Sequence, residues 1–137
     1  MKKLLLTALT GLLMGPAFSQ ADLGTTTYDA QTNNGAKHRI IVYDDGTISS
    51  IWTGSTDIGG TFPDRGSFYQ HYDGAAWLAA PTARVESLRT GFGELLHVED
   101  HEVTVTHNSP DAINFTIRMF ANDVIGSSTF TELAGSN

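Results

Sequence analysis

The 137-residue chain has no cysteine, so neither a disulfide framework nor a lipid-modified N-terminal cysteine is available and stability rests on packing alone. Basic residues are scarce: eight Lys and Arg stand against fifteen Asp and Glu, a formal charge of −7. A field of that sign disfavours nucleic acid and anionic membrane as partners, while an anion can still be held locally. Beyond the first 19 residues, no apolar run approaches the ~20 residues of a membrane-spanning helix, so no membrane insertion is expected. Helical periodicity is missing as well, apart from the short stretch 82–88. No motif calls for a cofactor.

What is present begins with an export signal. Lys2 and Lys3, an apolar stretch over 4–14, and Ala17, Phe18 and Ser19 as a small-x-small site make residues 1–19 a signal peptide. The product then starts at Gln20 and resides outside the cytoplasm, in the periplasm, at the cell surface or secreted. Loss of the two lysines takes the formal charge from −7 to −9, which favours solubility there. The remaining 118 residues suit one small domain. Threonine, aromatic and β-branched residues among 14 glycines point to an all-β fold.

The most informative segment runs over 39–53. Asp45 and Gly46 are the pair preferred by a two-residue type I′ turn, which sets Tyr43 opposite Ile48 and Ile41 opposite Ser50. Ile41, Tyr43, Ile48 and Ser50 then share one face, and Ile40, Val42, Ser49 and Ile51 the other. Both are largely apolar, so the hairpin is expected to be covered on both sides. The pattern returns 55 positions later: Asp45 and Gly46 fall on Asp100 and His101, and the expected pairs become Val98 with Val103 and Leu96 with Val105. Further strands are expected at 24–28, at 67–72, and at Trp77 and Leu78 after an Asp73-Gly74 turn. Ile113, Phe115, Ile117 and Met119 alternate with polar residues, which predicts a strand with one buried face. A last strand is expected at Val124 and Ile125 or at 128–130, and a turn at 32–35.

Two four-stranded antiparallel units follow, about 37–80 and 91–132. A unit recurring every few tens of residues marks repeat architectures, in which one unit cannot bury its apolar face alone.

Two groups of residues carry a resemblance. One is Gly24-Thr-Thr-Thr-Tyr-Asp29 with His38, Arg39 and Ile40, Asp45-Gly46-Thr47-Ile48, and Trp52-Thr53. The other is Phe62-Pro-Asp-Arg-Gly66 with Tyr72-Asp-Gly74, Trp77, Pro81-Thr-Ala-Arg84 and Arg89-Thr-Gly91. Over roughly 24–108 the chain resembles the N-terminal part of secreted bacterial proteins with a sialidase-like (BNR, or Asp-box) β-propeller. Tyr72-Asp73-Gly74-Ala75-Ala76-Trp77 resembles a degenerate Asp-box, a turn with structural duties only. The resemblance implies two propeller-type blades of a truncated propeller, with uncovered faces that favour self-association, a partner supplying further blades, or poor stability.

It also implies what to look for chemically. Sialidases hold a substrate carboxylate with three arginines and use a Tyr-Glu pair with an Asp acid/base, drawn from blades all round the propeller. Here Arg39 stands in the stretch nearest the family's first arginine motif, with Ile41 where proline is expected. The five arginines after the signal are Arg39, Arg65, Arg84, Arg89 and Arg118, and nothing in their spacing makes three converge. No catalytic residue is assigned. The function expected is a non-catalytic surface or interaction module that contacts a glycan or a cell-surface protein; the alternative is a fragment of an exo-sialidase-type glycoside hydrolase.

Candidate ligand-binding residues are Arg39, Trp52, Asp64, Arg65 and Tyr69. Asp64 and Arg65 beside Gly66 read as a ligand-facing loop or, more simply, as a salt-bridged turn. Trp52, Tyr69 and Tyr72 offer stacking surfaces for a sugar, although such rings in strands more often pack inside. His97, Glu99, His101 and His107 do not share a register that would gather four metal ligands, and Asp44-Asp45 and Glu99-Asp100 sit in turns too tight for calcium, so no metal site is assigned.

Overall fold

The computed structural model describes residues 20–31 and 38–134. The signal at 1–19 and the turn at 32–35 lie outside the described residues. Seven strands and no helix make up the described chain: β1 (Ile40–Val42), β2 (Ile48–Gly54), β3 (Gly66–Tyr72), β4 (Gly91–Val98), β5 (His101–Asn108), β6 (Thr116–Asn122) and β7 (Phe130–Glu132). They form two antiparallel meanders, β1-β2-β3 and β4-β5-β6-β7, and neither closes on itself. The chain is all-β, as its composition indicates, but the two units are unequal.

The expected fourth strand of the first unit is reduced to one bridge, between Tyr72 and Trp77. The amide of Gln70 explains this: its Nε2 donates to the carbonyls of Leu78 at 3.0 Å and Ala79 at 3.2 Å. Those carbonyls are satisfied by a side chain, and Pro81, with no N–H, follows two residues on. No strand forms at 24–28 either. There the backbone and hydroxyl of Thr27 both donate to Ser55 O, at 2.9 and 3.1 Å, and the segment lies as irregular chain against Trp52, whose ring passes beside Gly24.

The first hairpin turns on three residues rather than two. Ile41 pairs with Ser49 and Val42 with Ile48, and the loop closes through Gly46 N–H to Tyr43 O at 2.9 Å and Tyr43 N–H to Thr47 O at 3.0 Å. Gly46 takes a positive φ of 85° while Asp45 does not, and a type I′ turn needs both. Asp45 instead accepts from Thr47 N at 2.9 Å and Thr47 Oγ1 at 2.7 Å. The register is therefore one residue from the expected one. Because side chains alternate, Ile41 shares its face with Ser49 and Ile51, and Ile48 moves to the other.

The second hairpin turns on Glu99 and Asp100. Val98 pairs with His101 and Leu96 with Val103, and Glu99 has a φ of 57°. Placing the turn one residue earlier than expected spares His101 a left-handed backbone. Every pair moves by two, so the faces stay as expected. With a loop one residue shorter than the first, the repeat offset of 55 that carries Tyr43 to Val98 becomes 54 beyond the turn, carrying Thr47 to His101.

The sheets pack face to face. Ile51, Tyr69 and Leu95 form the apolar centre, with Ile41, Val85 and Phe130 against it. Much of the rest of this interface is polar: Ser49, Thr53, Ser67, Glu102, Thr104 and Asn122 are all buried. The apolar residues expected inside lie largely outside. β6 begins at Thr116, and Ile113, Phe115 and Ile117 are 78%, 63% and 57% exposed. Pairing with β5 sets Met119 opposite Val105 on the outer face and Phe120 opposite Thr104 on the inner one. Ile40 and Val42 are likewise exposed, so the first hairpin is not covered on both sides. The last strand is Phe130–Glu132, near the later of the two positions expected.

Candidate functional site

Glu102 is the most constrained charged group of the fold. It projects from β5 into the inter-sheet space and is 0% exposed. Tyr43 Oη donates to its Oε1 at 2.8 Å, while Tyr69 Oη at 2.6 Å, Asn122 Nδ2 at 2.6 Å and Gly126 N at 3.1 Å donate to its Oε2. Asn122 closes the ring by accepting from Glu102 N at 2.7 Å. Ser49 Oγ lies 3.1 Å from Tyr69 Oη and 2.8 Å from His71 Nδ1. Desolvation pushes the Glu102 carboxyl up, but the bonds it accepts outweigh that and hold it below the ordinary value. Burial, then the bond to Glu102, pushes the Tyr43 and Tyr69 phenols up. A tyrosine against a carboxylate is a nucleophile's arrangement. Here Tyr69 is 2% exposed and both carboxylate oxygens accept hydrogen bonds, so the cluster ties the first sheet and its hairpin to the second.

The five candidate residues fall in separate places. Arg39 Nη1 donates to Gln31 Oε1 at 3.2 Å, while its Nε and Nη2 are buried without a partner; desolvation lowers its pKa, with Glu94 opposing. Trp52 is half-buried and borders a groove of about 410 Å³ shared with Tyr28, Gln31 and Ser50. Tyr69 belongs to the core. Asp64 and Arg65 adjoin in sequence yet form no ion pair with each other. Asp64 accepts from Ser55 Oγ, and from the backbone N and Oγ1 of Thr56 at 2.7 Å each. Desolvation works against it, but these bonds hold the Asp64 carboxyl well below the ordinary range.

Arg65 turns the other way, into a group the sequence did not assemble. Its Nε donates to Thr90 O at 2.9 Å and its Nη1 to Tyr28 Oη at 3.1 Å, and its guanidinium lies 5.0 Å from the Tyr28 ring centre and 5.8 Å from that of Phe92. Arg89 Nε donates to Phe62 O at 2.9 Å, and Arg84 donates through Nε to Glu86 O and through Nη1 to Pro63 O, both at 3.1 Å. Arg84 and Arg89 thus seat on consecutive carbonyls of the loop that carries Arg65. The spacing 65, 84, 89 carries no signal of this, because a loop and a connector 19 residues apart meet only through β3.

The turn at 73–76 is held by its aspartate and its glycine. Asp73 Oδ1 accepts from Ala75 N and Ala76 N, both at 2.8 Å, and Gly74 has a φ of 95°. Trp77 packs on Tyr72 at 5.4 Å between ring centres, on the outer face rather than in the core. The histidines disperse: His97 lies edge-on to Tyr43, His101 bonds Asn122 O, and His107 contacts Phe92 and Phe115. Among the described residues no three His, Asp or Glu side chains gather as a metal site. No family model matches the chain, and no curated protein or solved structure matches it either.

Proposed function

We propose that the chain is an exported, non-catalytic binding module, built of propeller-type sheets of the sialidase-like kind and contacting glycans at its surface. One observation carries this reading. The repeat offset takes Ile41 to Leu96, Ser49 to Val103 and Ile51 to Val105. Ile41 and Ile51 belong to the inter-sheet core, whereas Leu96 is 38% exposed and Val103 and Val105 are half-exposed. The second sheet therefore presents outward the face with which the first sheet packs on the second. Such a face suits stacking in an array, where each unit contacts its neighbours, and it supports an interaction role.

The non-catalytic reading is supported by the saturation of Glu102 and by Arg39, two of whose nitrogens are sealed inside. The groove beside Trp52 supplies an aromatic wall and polar partners, the combination that sugar rings prefer. A glycan array probed with the purified chain tests the proposal: saturable binding that Trp52→Ala removes is expected, and no signal above background overturns the glycan contact. Release of a fluorogenic sialoside, abolished by Arg39→Ala, would overturn the non-catalytic assignment.

A further inference from the structure

Arg65, Arg84 and Arg89 share a construction. Each spends its Nε on a backbone carbonyl, of Thr90, Glu86 and Phe62 respectively. That single bond fixes the plane of the guanidinium and leaves the outer nitrogens as donors. Arg65 Nη1 and Arg84 Nη1 make one bond each, to Tyr28 Oη and Pro63 O. The remaining nitrogens, Nη2 of Arg65, Nη2 of Arg84 and both Nη of Arg89, make no hydrogen bond among the described residues, and none is a sealed, partnerless atom like Arg39 Nη2. They reach solvent at one end of the first sheet, with the Tyr28 hydroxyl, which accepts from Arg65 and keeps its own hydrogen to donate.

The grouping lacks a counter-ion. Among the described residues no ion pair joins these arginines to a carboxylate; Arg118, by contrast, pairs with Glu132 at 2.8 Å. Asp64, the nearest acid in sequence, is turned away toward Ser55 and Thr56. Glu86 is buried, and its Oε2 is taken by Ser67 N at 2.8 Å. The crowding is felt: desolvation, then the charges of Arg65 and Arg84, lower the pKa of Arg89. In a chain of net charge −7, three uncompensated cations over one loop are an arrangement that a bound anion would relieve. A carboxylate brings one charge and two oxygens. A phosphate or sulfate ester brings up to two charges and three terminal oxygens, which matches three separate guanidinium donors and a hydroxyl better.

We propose that Arg65, Arg84 and Arg89, with the Tyr28 hydroxyl, form a binding site for a tetrahedral oxyanion, the phosphate or sulfate group of a modified glycan. This rests on the binding-module reading above and names the ligand chemistry of one part of that surface. The anchored Nε bonds prepay the ordering of three long side chains, so little entropy is lost when the anion arrives.

The test is an NMR titration of the isotopically labelled chain that follows the arginine Nε–Hε signals. Inorganic phosphate, inorganic sulfate and acetate are added in separate arms at constant ionic strength. Phosphate, sulfate or both are expected to move the Arg65, Arg84 and Arg89 signals saturably while Arg118 stays in place, the stronger arm naming the ester; acetate should bind about tenfold more weakly. Arg89→Gln should weaken the stronger oxyanion about tenfold with the remaining backbone spectrum unchanged. Should Arg89→Gln fail to fold, Arg84→Gln serves, since its Nη1 bond is at an exposed carbonyl. Signals that do not move, that move equally with acetate, or that ignore the substitutions overturn the site. A failed titration beside a positive glycan array removes only the oxyanion site, and a negative array beside a saturable titration removes only the glycan.

Discussion

The Tyr69 hydroxyl lies 2.6 Å from Glu102 Oε2 and ties the last strand of the first sheet to a central strand of the second. Removing the donor and removing the acceptor are unequal acts. Tyr69→Phe deletes one of four bonds to a carboxylate that Tyr43, Asn122 and Gly126 still hold, at a cost of about 1 kcal/mol. Glu102→Ala removes all four bonds at once, leaving Tyr43 Oη and Gly126 N without that acceptor while Tyr69 Oη keeps Ser49 Oγ and Asn122 Nδ2 keeps Ser127 O, at a cost of roughly 3 kcal/mol. Urea unfolding followed by far-UV circular dichroism measures both. A Glu102→Ala loss no larger than that of Tyr69→Phe would mean the cluster does not join the sheets.

Acid should unfold the protein in a defined window. Backbone bonds from Asn114 and Ile113 hold Asp111 at about 2, and Asp45, Asp57, Asp64 and Asp73 are likewise held below their ordinary value, as is Glu102. A carboxylate depressed by folding contributes stability above its unfolded pKa and loses it as pH falls through its folded one. The urea midpoint is therefore expected to fall between about pH 5 and pH 2. Glu86 has the opposite sign. Burial raises it, so its contribution is present at low pH and lost as pH rises through the raised value. Glu86→Gln should thus stabilise the fold by about 1 kcal/mol at pH 7 and by much less at pH 3. A flat difference across that range would show that Glu86 does not titrate on folding.

The all-β character and the places of the two hairpins are legible in this sequence because turn chemistry and period-two alternation act locally, whereas the number of strands is not: the fourth strand expected at Trp77 and Leu78 is only a bridge. Which face is buried is not legible either. Ile113, Phe115 and Ile117 alternate cleanly, but the inner row beside them, Thr104, Thr106 and Asn122, is polar and buried, with Thr106 bonded to Gly91 O and Asn122 to Glu102 inside the second sheet. Alternation reports that two faces differ and is silent on which neighbour each meets. Glu102 is not legible for the same reason: nothing in its local sequence separates an acid buried between sheets from a solvated one. The register at Asp45-Gly46 differs by one residue from the expected one because Asp45 accepts from Thr47 and closes a three-residue loop, which an Asp-Gly pair serves as well as a type I′ turn. The arginine group depends on a loop and a connector meeting in space, which no spacing encodes.

Two turn glycines should differ when replaced by alanine. At Gly46, with a φ of 85°, an added Cβ meets nothing within 4 Å, so only the left-handed backbone is strained and the cost should be about 1 kcal/mol. At Gly126 the φ is 86° and the added Cβ comes within 2.8 Å of the His71 ring. Its N–H also donates to Glu102 Oε2 at 3.1 Å. Gly126→Ala should therefore lower the melting temperature more than Gly46→Ala does, and the reverse order would place the strain of the first hairpin above the packing of the 123–127 turn.

The inter-sheet core and the outer face of the second sheet should respond differently to substitution. Ile51 is 1% exposed between the sheets, and Ile51→Ala should cost about 2–4 kcal/mol. Ile117 is 57% exposed on the outer face, so Ile117→Lys should change the stability of the monomer by no more than about 0.5 kcal/mol. Leu96, Val98, Phe115 and Ile117 are all exposed apolar residues of the second sheet or its edge, and exposed apolar surface drives association. Sedimentation velocity over a range of concentrations is expected to show the wild-type chain associating and Ile117→Lys shifting it toward the monomer. An Ile117→Lys chain that unfolds as readily as Ile51→Ala would mean that the outer face is covered within a single chain, and the equivalence of Ile51 with Val105 would then carry no stacking role.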